Sequence, residues 1–316
     1  MTASRYRLVG MVLTGLLLLL PVVAVIFDRP FYIDLGARIL IFAIAALGLD
    51  LILGFGGMVS FCHAIFLGIG AYSVGILSAY GISNGFLHFG VAVCASAFVA
   101  LIVGAISLRT TGVHFIMITL AFGQMVYFLA VSVNSFGGDD GLSIASNSDF
   151  FGVVELGKPV QLYYLALCAL IGFLIFADRF VHSRLGMVVR GAKSNERRMA
   201  AVGHSTYFYK LIAFVIAGSA TGFAGALLAN QALFISPGIA HVGRSGEILM
   251  MVILGGMGSL VGPILGSIVY LGLEQGLSSW TEHWQVVLGP ILLAVVLFAR
   301  QGLLGWLVGW KTRDYL

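Results

Sequence analysis

Long apolar runs separated by short polar stretches fill most of this 316-residue sequence. Hydrophobic residues make up 60% of the chain and charged residues only 9%, whereas a soluble domain carries about 25% charged residues. Runs of this length match the thickness of a bilayer core, in which every backbone amide and carbonyl must be hydrogen-bonded within the protein. Because no run alternates in the way of a barrel strand, we predict an all-α, polytopic membrane protein.

The apolar runs predict about eight to ten transmembrane helices, depending on how two short neighbouring runs are counted. The first run follows Arg5 and Arg7 and is long enough to span a bilayer. No A-x-A cleavage pattern follows it, so we interpret it as an uncleaved span. The predicted spans are 8–27, 36–54, 62–80, 88–108, 113–133, 161–178, 211–235, the short pair 246–260 and 263–279, and 286–304.

Basic residues indicate which ends of these spans face the cytoplasm, because Lys and Arg concentrate on that side of a membrane. The stretch 178–210 holds seven of the chain's 17 basic residues, and both termini are also basic. We therefore predict that this stretch, the N-terminus and the C-terminus are cytoplasmic. The basic residues concerned are Arg5, Arg7, Arg179, Arg184, Arg190, Lys193, Arg197, Arg198, Lys210, Arg300, Lys311 and Arg313.

Two glycine-rich segments interrupt the apolar runs. Residues 56–60 read "GGMVS" and residues 255–259 read "GGMGS", a weak internal repeat whose direction the sequence leaves open. Irregular backbone in a membrane is stable only inside protein or along a cavity, so paired breaks favour a translocation pathway. Close helix packing through small residues is the alternative. The candidate pathway residues are Gly56, Gly57, Ser60, His63, Gly255, Gly256, Ser259 and Gly262.

The basic stretch contains a pattern typical of a short helix at 194–203. Ser194 or Asn195 can cap its start, and Glu196 in the first turn favours the positive end of the helix dipole. Gly203 suits the left-handed residue that ends many helices. An isolated helix of this length is unstable in water. The protein's own surface, lipid headgroups or a partner must hold it, unless the stretch is only a basic connector.

The apolar side of this short helix is the second part of the pattern. Met199 and Val202 share one face, with Ala200 and Ala201 beside them, and Arg197 and Arg198 supply positive charge. A connector that served only to place positive charge in the cytoplasm would need no such face.

Several motifs resemble ABC-importer permeases of the branched-chain amino acid type, the M-type permease in particular. "NERRMAAVG" followed by "YFYKLIAFVIAGSATGFAGALLA" is similar to the cytoplasmic loop of that family, with Asn195, Glu196, Gly203 and Lys210 at the matching places. Similarity extends from about residue 36 to residue 305. The other similar segments are "LDLILGFGGMVSFCHAIFLGIGAY", "LRTTGVHFIMITLAFGQM", "GGDDGL", "GGMGSLVGPILGS" and "RQGLLG". The chain departs from the family pattern at Lys193, Ser194, Cys62 and His63.

The resemblance implies a single transmembrane permease domain over 1–316, with a cytoplasmic coupling loop at 179–210 that an ATPase subunit grips. It assigns the apolar anchor to Met199, Ala200 and Val202, charge complementarity to Arg197 and Arg198, and the helix start to Glu196. Asn195, Gly203 and Lys210 complete the predicted coupling residues.

The resemblance also implies partners and a location. We expect a second permease subunit in a heterodimer, two ATP-binding cassette ATPases, a periplasmic or extracellular substrate-binding protein and membrane lipid, but no nucleic acid. The location implied is the bacterial cytoplasmic (inner) membrane. No G-x-x-x-x-G-K-[ST] motif occurs, so we expect no catalytic residues, cofactor or metal in this chain, with ATP and Mg on the partner ATPases.

An ion-coupled secondary transporter with repeated broken helices is the main alternative, and a passive channel is another. A coupled carrier would need a titrating carboxylate in the membrane, for which Asp50 and Glu274 are the best candidates. The ionisable residues in or near predicted spans are Arg38, Asp50, His63, His114, Glu247 and Glu274. Interhelical hydrogen bonding, contact with lipid headgroups and a pathway role are all open for them. The substrate implied is a branched-chain amino acid, with other amino acids, amides or urea as alternatives.

Overall fold

The chain folds into a bundle of twelve helices in a computed structural model that describes residues 2–26, 30–144, 146–150, 154–281, 283–298 and 302–308. The helices are α1 Thr2–Ile26, α2 Pro30–Leu53, α3 His63–Ala79, α4 Gly85–Ser107, α5 Val113–Ser132, α6 Pro159–His182, α7 Arg184–Ala201, α8 Thr206–Ala232, α9 Val242–Gly255, α10 Gly262–Ser278, α11 Trp284–Phe298 and α12 Gly302–Val308. The all-α prediction is confirmed.

Strands in the described chain are only two residues long. β1 Leu142–Ser143 pairs antiparallel with β4 Phe234–Ile235, and β2 Asp149–Phe150 pairs antiparallel with β3 Val154–Glu155. These ribbons join loops at one end of the bundle. Arg300, Lys311 and Arg313, which supported the predicted cytoplasmic C-terminus, lie outside the described residues.

Five helices are long and apolar enough to cross a membrane, namely α2, α4, α5, α6 and α8. Shorter apolar helical stretches lie at Leu13–Val22, His63–Ala79 and Trp284–Val295. The protein is therefore a multi-pass membrane protein. The predicted short pair forms two separate helices, α9 and α10, whereas the predicted span 286–304 is divided between α11, which ends at Phe298, and α12, which begins at Gly302.

Helix α2 forms the centre of the bundle. From Ile39 to Leu53 every side chain is buried, because α6, α8, α9 and α10 surround the helix. A helix that is apolar on all sides requires such complete enclosure. Its one carboxylate in this stretch, Asp50, is fully buried near the helix end.

Helices α3 and α8 pack backbone against backbone through glycine. A Cβ at Gly225 would overlap the carbonyl oxygen of Leu67, and a Cβ at Gly70 would overlap that of Gly222. Small residues allow this approach, which replaces the hydrophobic driving force that is missing between helices in lipid.

The two glycine-interrupted segments lie at the same end of the bundle as α7, which we call the α7 end. Lys193 of α7 donates to the carbonyl oxygen of Gly54, just after α2, at 2.6 Å. The amide of Gly258, just after α9, donates to Asp50 at 2.9 Å. Helices α2 and α9 therefore both run toward the α7 end, break, and return as α3 and α10. The two repeats are parallel, which settles the direction that the sequence left open.

Substitution of Gly225 by Ala is expected to lower the free energy of unfolding by about 1–3 kcal/mol, because the added methyl group overpacks the α3–α8 contact. Gly272→Ala is the matched control, since a Cβ at Gly272 in α10 meets nothing within 4 Å. Denaturant unfolding in detergent micelles, followed by Trp fluorescence, measures both. Equal midpoints for the two variants would contradict the packing described.

Candidate functional site

Helix α7 consists of two helical parts separated at Asn195. The backbone of Asn195 is extended (φ −159°, ψ 101°), while its neighbours on both sides are helical. Its side-chain oxygen accepts a hydrogen bond from the amide of Arg198 at 3.0 Å, which is the geometry of an N-cap. The short helix thus begins after Asn195 rather than Ser194. We call it the 196–201 helix.

The 196–201 helix ends as its sequence predicts, at a left-handed glycine. Gly203 has φ +92°, and its amide donates to the carbonyl oxygen of Ala200 at 2.9 Å. The amide of His204 donates to the carbonyl oxygen of Met199 at 3.2 Å. These two bonds form a Schellman motif, which stops the helix and turns the chain into α8.

Glu196 does more than begin this helix, because its carboxylate ties the helix to the start of α8. It accepts a hydrogen bond from Nζ of Lys210 at 2.7 Å and one from the hydroxyl of Thr206 at 2.9 Å. Burial would raise the pKa of Glu196, but the bonds from Lys210 and Thr206 outweigh it and hold the pKa below its ordinary value. The Lys210 side chain is only 11% exposed, so it supports the helix from beneath.

Met199 also faces inward, which corrects the predicted apolar face. Its side chain lies over Gly191 in the first part of α7, with Sδ 2.6 Å from the position of a Cβ there. Val202 lies just beyond the helix and is 70% exposed. The remaining outward residues are Arg197, Arg198, Ala200 and Ala201. Since Glu196 and Met199 are three residues apart, they share the inner face, and Val202 belongs to the outer one.

A cavity of about 420 Å³ lies between α7 and the glycine-rich segment that follows α2, which we call the first break. Its lining comes from three parts of the chain: the segment after α2, the α4–α5 connection, and α7 with the start of α8. These contribute Gly56, Gly57, Met58, Val59, Thr110, Thr111, Gly112, Lys193, Glu196 and Lys210. Of the predicted pathway residues, Gly56 and Gly57 therefore line a cavity.

Ser60 and His63 lie deeper, outside this lining. Nδ1 of His63 and the hydroxyl of Ser60 are 3.3 Å apart, and both residues are fully buried. The imidazole contacts the rings of Phe66 and Phe214 edge to face, at centroid distances of 5.4 and 5.9 Å. His63 is thus part of an aromatic core cluster at the start of α3.

The glycine-rich segment between α9 and α10, which we call the second break, is closely packed. The Ser259 hydroxyl donates to the carbonyl oxygen of Gly256 at 2.8 Å and accepts from the amide of Gly262 at 3.1 Å. A Cβ at Gly255 would overlap the carbonyl oxygen of Gly262. These residues allow α9 and α10 to approach each other, as in the packing interpretation of the glycines.

The ionisable residues in the bundle form ion pairs within one helix and between helices. Arg38 of α2 pairs with Glu274 of α10 at 3.1 Å, and Arg244 pairs with Glu247 one turn along α9. Both guanidinium groups lie over the ring of Phe42, at 5.9 and 5.7 Å from its centroid. His114 is exposed at the start of α5.

Sequence reasoning missed the contact between Lys193 and Gly54. Lys193 is one of the positions at which the chain departs from the family pattern. That departure was the only signal in the sequence that could have identified it. Asp50 was identified as an ionisable residue, but its partner, the amide of Gly258, is 208 residues away in the chain.

Substitution of Glu196 by Gln is expected to release the 196–201 helix and to speed tryptic cleavage after Arg197 and Arg198 about fivefold, equivalent to about 1 kcal/mol for a half-exposed pair. Asp178→Asn is the control, because Asp178 and its partner His182 are both more than half exposed. Gel analysis of timed digests measures the rates. Equal rates for wild type and Glu196→Gln would contradict this role.

The same contact predicts a pH dependence. Because the pKa of Glu196 is lowered in the folded protein, the contact is fully formed above the ordinary carboxyl pKa and is lost as pH falls through the lowered value. Hydrogen exchange of 196–201, corrected for intrinsic rates, should therefore be constant from pH 8 to 6 and accelerate only in acid. Acceleration near neutral pH would contradict the assignment.

Comparisons with known proteins agree with the motifs. The family described as branched-chain amino acid transport system / permease component matches residues 32–296. The high-affinity branched-chain amino acid transport system permease protein LivM of Salmonella typhimurium is 28% identical over 295 residues, covering 86% of this chain and 69% of the relative. LivM of Escherichia coli is 27% identical over 295 residues, with the same coverage of 86% and 69%.

A second kind of permease is also similar. The permease protein LivH of Escherichia coli, from the high-affinity branched-chain amino acid transport system, is 25% identical over 286 residues, covering 84% of this chain and 91% of the relative. No solved structure matches the chain. The resemblance to M-type permeases is confirmed: the chain belongs to the branched-chain amino acid transport permease family and is a membrane-spanning permease subunit of an ABC importer.

Proposed function

We propose that this chain moves branched-chain amino acids inward across a bacterial cytoplasmic membrane, driven by ATP hydrolysis on partner subunits. The observation that carries the proposal is the 196–201 helix, capped at both ends and held to the protein by one face only. Its other face presents Arg197, Arg198 and Val202 outward. A self-sufficient ion-coupled carrier has no need of such a helix, and the family does not favour that alternative.

The partners follow from the chemistry of the chain and from its relatives. Both LivM and LivH are permease proteins of one kind of transport system, which supports a heterodimer of this chain with a second permease. The sequence contains no phosphate-binding loop, so two ATP-binding cassette ATPases would bind ATP and Mg. A binding protein outside the membrane would deliver the substrate, and membrane lipid would surround the bundle.

The α7 end faces the cytoplasm in this proposal, because the basic residues of 178–210 concentrate there. Closure of the ATPases on ATP would move the 196–201 helix and bias the bundle between two arrangements. Arg197 and Arg198 would pair with acidic groups of the ATPase, and Ala200, Ala201 and Val202 would fill its apolar groove. The cavity beside Gly56 and Gly57 would form the cytoplasmic part of the pathway.

Replacement of Val202 by Asp is expected to reduce ATPase co-purification at least about tenfold, since a charge replaces the largest exposed apolar side chain of the proposed docking face. Met187→Asp is the matched control: Met187 is also exposed, at 52%, but lies in the first part of α7. Membrane insertion should be unchanged in both variants. Co-purification at wild-type level with Val202→Asp would contradict the docking face.

Uptake of labelled leucine into proteoliposomes tests the activity and the substrate together. The complete complex with its binding protein should accumulate leucine only with ATP, and excess isoleucine or valine should compete. Excess of an unrelated amide or urea should not. Uptake by this chain alone, driven by an ion gradient, would contradict the proposal in favour of a secondary transporter.

A further inference from the structure

One side chain leaves α7 and reaches the first break. Lys193 lies two residues before the extended residue Asn195, and its Nζ donates to the carbonyl oxygen of Gly54 at 2.6 Å. The stem of the lysine lies against Gly57, with Cγ 2.9 Å from the position of a Cβ there. The carbonyl of Gly54 stands where α2 ends and helical bonding stops, so the ammonium group satisfies an acceptor that the break leaves free.

The second break meets the first at the same point. Both carboxylate oxygens of Asp50 accept the amide of Gly258, at 2.9 and 3.2 Å. A Cβ at Gly54 would overlap both Asp50 and the amide nitrogen of Gly258. Glycine at position 54 therefore allows the two breaks to touch, with no side chain between them.

Charge joins these contacts into one unit. Asp50 is fully buried. Its carboxylate lies against Gly54, whose carbonyl oxygen accepts the hydrogen bond from the Lys193 ammonium group, so the two opposite charges meet at one glycine. A buried carboxylate is stable only when hydrogen bonds and opposite charge compensate it. The loss of either partner therefore affects both breaks, although Lys193 has no hydrogen bond to the second one.

We propose that Lys193 and Asp50 are positioning residues that transmit movement of the 196–201 helix to both breaks of the bundle. The proposal rests on the function proposed above and adds the internal route by which force from an ATPase reaches the membrane helices. A shift of α7 moves Lys193, which pulls on Gly54 and changes the charge beside Asp50. Asp50 in turn holds Gly258, so the first and second repeats move together.

The surroundings of Lys193 leave room for its side chain to move. Lys193, Gly56 and Gly57 line the cavity of about 420 Å³, so displacement of the lysine changes the width of that cavity. Lys193 itself is exposed, so its substitution does not create a buried hole. If Lys193 served only to stabilise the fold, its substitution would instead lower the amount of folded protein.

The test uses the complete complex, in which the substrate transported per ATP hydrolysed is measured for wild type, Lys193→Met, Lys193→Arg and Arg184→Met. Arg184 is the matched control, an exposed basic residue at the start of the same helix. We expect Lys193→Met to lower the ratio at least about tenfold, as for loss of a charged hydrogen bond. Assembly and basal ATP hydrolysis stay unchanged, Lys193→Arg restores part of the ratio, and Arg184→Met has no effect.

Hydrogen exchange of the purified permease provides a second readout that needs no ATPase. Lys193→Met should accelerate exchange at both breaks, in 54–58 and in 256–261, while α4 and the Arg184→Met control stay unchanged. Asp50→Asn should accelerate exchange at the second break, and the double variant should show less than the sum of the two effects.

Three results would overturn the link. The first is unchanged exchange at 256–261 in Lys193→Met, and the second is a wild-type transport ratio in that variant. Loss of ATPase binding by Lys193→Met would also overturn it, since Lys193 would then serve docking. If the wild-type chain recruits no ATPase, the proposed function fails, and the exchange experiment still decides whether the two breaks are linked.

Discussion

The structure depends on how backbone groups are satisfied where two membrane helices stop short. Within a bilayer, the amides and carbonyls that a break sets free need partners inside the protein or along a cavity. At the first break Lys193 binds the carbonyl oxygen of Gly54, and at the second Asp50 binds the amide of Gly258. These contacts join both breaks to α7 or to each other, so both breaks lie beside the loop that we propose is cytoplasmic. The parallel arrangement of the two repeats follows from this.

The loop before α8 is likewise stabilised by contacts that satisfy its backbone groups and charges. A helix as short as 196–201 is unstable alone, yet here Asn195 and Gly203 cap it, Glu196 binds Lys210 and Thr206, and Met199 rests on Gly191. All of these contacts use the inner face or the ends of the helix. The outer face is left with exposed small apolar side chains and with Arg197 and Arg198, whose residue type is enriched at protein interfaces. A rigid helix with a free face can pass on the movement of whatever binds it.

Sequence patterns predicted the local features well, because these depend on neighbouring residues. The apolar runs located the helices, and Asn195 and Gly203 predicted the ends of the short helix. Long-range contacts were beyond reach: nothing local pairs Asp50 with Gly258, or Lys193 with Gly54. The inward turn of Met199 was also missed, since the period that joined it to Val202 counted Val202 as part of the helix, which ends at Ala201. The contact between Lys210 and Glu196 was missed as well, because it joins two segments that are 14 residues apart.

We propose that the outer face of the 196–201 helix is the surface on which an ATPase acts. A photo-reactive amino acid in place of Ala201, activated in membranes that contain the complete complex, tests this most directly. We expect one protein adduct whose mass is that of the permease plus an ATPase subunit. The yield of this adduct should change when the ATPases are held in their ATP-bound state. The proposal would be contradicted if the label at position 201 gave only lipid adducts or none, while the same label in place of Met187 gave the ATPase adduct.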